Sequence, residues 1–150
     1  MINRRDFLGS VAVLSAAGAF GSAILSSQEW GFGGHRAFYK IIYDSRFPVS
    51  VRFAGQARQS GIPLAAITGD ITHLWYDDLY HHWKSGGRPI AGLIAASSLF
   101  CLDLLARDQG LRVVHREDVA VDATMPARTA LALFIIAAPG AARISIGGAV

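Results

Sequence analysis

An α/β fold, a small open sheet of about four mostly parallel strands joined by crossover helices, is what this 150-residue sequence predicts. Three observations lead to it. Between residues 38 and 118, short apolar runs alternate with amphipathic stretches of about a dozen residues, the order that right-handed crossovers between parallel strands impose. Proline or glycine marks each change of element: Pro48, Gly61, Pro63, Gly86, Gly87, Pro89 and Gly110. A composition 52% hydrophobic and 17% charged supplies one buried core and excludes a disordered chain.

Residues 1–27 stand apart from that pattern and read as a targeting segment. Two adjacent arginines are followed, from Leu8 to Leu25, by a run without charge and rich in Ala, Gly and Ser. The block Asn3-Arg4-Arg5-Asp6-Phe7-Leu8 resembles the twin-arginine export signal: a polar residue, Arg-Arg, any residue, then Phe and Leu. The resemblance covers the signal alone and rests on Arg4, Arg5, Phe7 and Leu8. It implies that the twin-arginine machinery carries the folded chain across the bacterial inner membrane into the periplasm, often with a cofactor or a cofactor-bearing partner. A bilayer span needs about 20 apolar residues. This run is shorter and is diluted by Gly9, Gly18 and Gly21. Ala19 and Gly21 offer small residues for cleavage, and an uncleaved signal would be the chain's one contact with a membrane. Residues 28–37 form a glycine-rich joint, whose Gly31, Gly33 and Gly34 precede the first strand and so make no dinucleotide turn.

Phe38 to Tyr43 is aromatic and β-branched, a strand. The turn Asp44-Ser45-Arg46-Phe47 follows, with Pro48 suited to a first helical position. Val49, Phe53 and Ala57 give the next helix its apolar stripe, and Gly61 is its left-handed cap. Ile62 to Thr68 is the second strand, with its proline read at the first position, where proline is tolerated. Asp70 or Thr72 then caps a helix whose Trp75, Tyr76, Leu79, Tyr80 and Trp83 share one arc. His73, Asp77, Asp78, His81 and His82 fall on the opposite, wet arc. Pro89 to Ile94 is a third strand, and Leu99 to Gln109 a helix apolar nearly all round and therefore buried, with Cys101 packed inside it. Asp103 and Arg107 pair along it at i, i+4. The competing arrangement makes Pro89 to Gln109 one long broken helix of an α+β fold. Leu111 to His115 is a fourth strand, and 119–150 an apolar tail in which Thr129 to Ala138 offers one more.

Ligands of open parallel sheets bind beyond the carboxyl ends of the strands. Three turns meet there and bring Asp44, Ser45, Arg46, Asp70, Thr72, Ser97 and Ser98 together beside helix N-termini, which favour anions. Asp70, Thr72, Ser97 and Ser98 also suit plain helix capping. Arg46 has no capping role. His73, Asp77 and His81 recur at i, i+4, i+8, a spacing at which imidazole and carboxylate can share a divalent ion such as zinc. No nucleophile elbow, phosphate loop, dinucleotide turn or haem-attachment motif is present, so no catalytic residue and no cofactor is assigned. A net charge of +3 with scattered arginines does not mark a nucleic-acid binder.

The functional expectation is an exported, non-catalytic periplasmic accessory subunit of a larger redox or ligand-bearing complex, from folded-state export, the lack of a catalytic motif and an apolar tail that a small domain has trouble burying alone. The alternatives are a small periplasmic enzyme or anion-binding domain using the strand-end residues, and a metal carrier using His73, Asp77 and His81.

Overall fold

The computed structural model describes residues 38–119, 121 and 130–139. The export block, the joint and much of the tail therefore lie outside the described residues. Within them the chain runs β1 (Lys40–Asp44), α1 (Pro48–Ala57), a 3-10 turn (Arg58–Ser60), β2 (Leu64–Ile67), α2, β3 (Ile90–Ala95), α3 (Ala96–Asp108), β4 (Arg112–Val119) and β5 (Leu131–Ala137). Helix α2 is continuous over residues 72–84, α-helical at Thr72–Leu74 and Tyr80–Lys84 with a π-helical turn at Trp75–Leu79 between them.

The architecture is α/β, with one open five-stranded sheet in the order β2-β1-β3-β5-β4. β1 pairs in parallel with β2 and β3, whereas β5 pairs antiparallel with both β3 and β4. The sheet is thus mixed and has one strand more than the expected four. The extra strand comes from the tail: β5 returns from β4 in the opposite direction and inserts between β4 and β3. All seven of its residues are buried, as suits an uninterrupted apolar strand covered on both faces.

Right-handed connection explains where the helices lie. The step from β1 to β2 runs one way along the sheet, and those from β2 to β3 and from β3 to β4 run the other. Accordingly α1 packs Phe53 and Ala57 on one face, with Ile41, Leu93 and Leu133. Helices α2 and α3 cover the other face, where Trp75, Leu79, Trp83, Leu99 and Leu102 meet Ile42, Ile94 and Phe134. Pro48 sits in the first turn of α1, and Gly61, Gly86 and Gly110 have positive φ at the element ends.

Two readings of the helices need correction. Trp75, Leu79 and Trp83 are buried as the pattern requires, but Tyr76 is 61% exposed. The π turn closes an i→i+5 bond from the Tyr80 N–H to the Trp75 carbonyl, so the α-helical arc does not hold through it. Helix α3 is not buried all round. Ser98, Leu99, Leu102 and Ala106 face the sheet, while Phe100 (63% exposed), Leu104 (49%) and Cys101 face out. A helix lying on one face of a sheet buries one stripe, whatever its composition. Nor is 89–109 a broken helix, because Ala95 is extended (φ −58°, ψ 141°) and separates a strand from α3.

Candidate functional site at the strand ends

The carboxyl ends of β1, β2 and β3 lie at one edge of the sheet, since all three run in parallel. Between β1 and β3 the connections diverge, β1 leading toward β2 and β3 toward β4, which is the switch point at which such sheets bind ligands. Asp44-Ser45-Arg46, at the end of β1, stands at that switch point.

Asp44 is the last residue of β1 and is fully buried. Its Oδ1 accepts from Arg46 Nε at 2.9 Å and from the Arg46 backbone N–H at 3.1 Å, and its Oδ2 accepts from Arg46 Nη2 at 2.7 Å. This bidentate pairing fixes the guanidinium plane. Donating hydrogen bonds to the Asp44 carboxylate raises the Arg46 pKa above its ordinary value, so Arg46 is a permanent cation. Two of the five guanidinium N–H donors serve Asp44, leaving three at a side chain 47% exposed.

Gly69 (φ +95°) lies against this fork. A Cβ built there would stand 2.6 Å from Arg46 Cζ, so any other residue would displace the guanidinium. The Gly69 carbonyl accepts from Ser98 Oγ at 2.7 Å, which ties the loop after β2 to the first turn of α3. No side chain caps α3, although the Ala96 N–H donates to the Ala130 carbonyl at 2.8 Å. Ser97 is exposed beside it, in the first turn of α3. Ser45 donates from its backbone N–H (2.9 Å) and its hydroxyl (3.2 Å) to the Ile67 carbonyl, joining the ends of β1 and β2.

Of the seven expected strand-end residues, Asp44, Ser45, Arg46 and Ser98 are thus brought into one network through Gly69 and Ile67. Asp70 and Thr72 form a local, exposed pair, with Asp70 Oδ1 accepting from Thr72 N–H (2.8 Å) and Oγ1 (2.5 Å). The Thr72 hydroxyl and N–H lower the Asp70 carboxyl pKa. Ser50 was not singled out from the sequence. Buried in α1, it accepts from the Asp44 N–H at 2.8 Å and donates to the Leu93 carbonyl at 2.5 Å, bridging β1 and β3. The sole sequence signal for it is a hydroxyl between Val49 and Val51, on a helix otherwise poor in them.

His73 Nδ1 and Asp77 Oδ2 are 3.6 Å apart and both highly exposed, whereas the His81 ring lies edge-on to Tyr80 at 5.4 Å. Among the described residues no group of three or more His, Cys, Asp or Glu side chains is placed to hold a metal ion. Asp78 and His82, expected on the wet arc, instead pack against Tyr39 and Lys40 at the opposite end of β1 from Arg46. Among the described residues no helix is long and apolar enough to cross a membrane. No known protein family matches the chain, and no curated protein or solved structure is significantly similar to it.

Proposed function

We propose that this chain is an exported α/β domain that binds a small anionic ligand, a carboxylate or phosphate group, at the ends of β1, β2 and β3. The observation that carries the reading is the Arg46 fork, oriented by a buried carboxylate and given room by a glycine, with three donors remaining. The first turn of α3, with no side-chain cap and with exposed Ser97, adds backbone donors of the polarity an anion favours. The apolar segment that argued for a larger partner is the sheet's own β5, so burial of that strand calls for none. Ion capture by a fixed cation and backbone dipoles requires no further chemistry from the chain, in keeping with the lack of a catalytic motif.

Titration with inorganic phosphate, sulfate and acetate, followed by amide chemical shifts, tests this. The expected outcome is saturable shifts at Arg46, Gly69 and Ser97 for at least one of the three anions, with affinity at least about tenfold weaker in Arg46→Gln. A tenfold loss corresponds to about 1.4 kcal/mol, the low end of a hydrogen bond to a charged group. Flat titrations with all three anions, or an Arg46→Gln variant binding like the wild type, would sink the reading.

A further inference from the structure

Tyr39, Lys40, Asp78, His82 and Arg88 form a second polar cluster at the amino end of β1, remote along the strand from Arg46. Asp78 accepts from the Tyr39 hydroxyl at 2.5 Å and pairs with Lys40 Nζ. The His82 ring stacks on the Tyr39 ring, with centroids 3.4 Å apart and planes 8° from parallel. Its Nε2 accepts the Arg88 backbone N–H at 2.8 Å. An acceptor at Nε2 is an unprotonated nitrogen, so the ring is neutral with its proton on Nδ1. Gly87 lies so close that a Cβ there would stand 2.3 Å from His82 Cδ2.

We infer that His82 is a pH-sensitive latch, holding the turn between α2 and β3 closed while its imidazole is neutral and releasing it on protonation. The geometry sets the direction. A proton on Nε2 converts the acceptor into a donor facing another donor, the Arg88 N–H. Two cations face the ring, Lys40 from β1 and Arg88 from the turn, and Tyr39 is the uncharged titratable group beneath it. The carboxylate one turn earlier on its own helix, Asp78, is already engaged by Lys40 and Tyr39. Burial is the largest cause lowering the His82 pKa from its ordinary 6.5; a backbone hydrogen bond with Arg88 opposes it in part, and the charges of Arg88 and Lys40 add to it.

Linkage gives the sign. A histidine whose pKa is lowered in the latched state stabilises that state fully above the ordinary value, and the contribution is lost as pH falls toward the latched value. Opening of the turn therefore rises with acidity, by at most about tenfold per pH unit, from pH 6.5 down to the latched pKa, and then levels off.

The test is nuclear magnetic resonance on the full chain. Histidine ring signals and Arg88 amide exchange, corrected for the intrinsic rate, are followed as pH is lowered. The expected result is a His82 pKa below 6.5 and loss of Arg88 protection over the same interval. In His82→Gln, a non-titrating side chain whose carbonyl can accept the same N–H, protection becomes independent of pH. A His82 pKa at or above the ordinary value would overturn the latch, as would constant Arg88 protection in the wild type. So would a His82→Gln chain that keeps the wild-type pH response. The wild-type measurements decide the matter even if the variant does not fold.

Discussion

At the scale of single residues, Gly69 shows how an absent methyl group can place a charged one. Its φ of +95° lies in a region that costs an L-residue about 1–2 kcal/mol, and its missing Cβ is the space against which the Arg46 guanidinium rests. Gly69→Ala is therefore expected to lower stability by about 1–2 kcal/mol in urea unfolding and to abolish the phosphate response, because the fork must move. Gly61→Ala is the control. It has a similar positive φ (+75°) but open space around it, so it should cost similar stability and leave anion binding intact. Equal phosphate affinity in Gly69→Ala and wild type would separate Arg46 from its glycine. Arg46 was legible in the sequence because a cation in a turn has no capping task. Ser50 was not, because its two partners, Asp44 and Leu93, lie on different strands.

Among the elements, α2 best displays what periodicity can and cannot specify. Trp75, Leu79 and Trp83 recur every fourth residue and form a buried row against Ile42 and Ile90. Trp75 and Trp83 also meet edge to face at 5.7 Å, and Trp83 Nε1 donates to the Arg88 carbonyl at 3.2 Å. Trp83→Ala should accordingly cost about 3–5 kcal/mol, as large-to-small changes in a core do. Tyr76→Ala should stay within about 0.5 kcal/mol, as surface changes do. Chemical denaturation of the pair at neutral pH checks both, and a Trp83 loss as small as that of Tyr76 would put the helix the wrong way round. The π turn escaped the sequence because residues 75–79 carry no local mark of it. The exposure of Phe100, Cys101 and Leu104 escaped for a related reason: composition records how apolar α3 is, and the sheet decides which side it uses.

For the whole molecule, export is the prediction that belongs to the complete chain. The twin-arginine reading requires the guanidinium pair, so changing Arg4 and Arg5 together to Lys keeps the charge and should leave the precursor in the cytoplasm. Fractionation of cells expressing the two forms measures it. Unchanged accumulation outside the inner membrane would point to the general secretory route instead. Apart from the π turn in α2, the order of strands and helices from Lys40 to Val119 was set down in the sequence alone, because turns, caps and apolar periods act over a few residues. The meeting of three strand ends followed from parallel pairing, and with it the neighbourhood of Arg46 and Ser98. Tertiary structure alone decided the place of β5. Nothing near Leu131 to Ala137 says that these residues insert between β3 and β4, and antiparallel to both. That choice rests on distant partners: Gly92, opposite Phe134, leaves no room for a side chain, since a Cβ there would lie 2.2 Å from the Ile42 carbonyl oxygen and 2.9 Å from Phe134 Cε1. Local preference can make a segment a strand, but which edge it joins depends on contacts between residues far apart in the chain, which exist only once the sheet has formed.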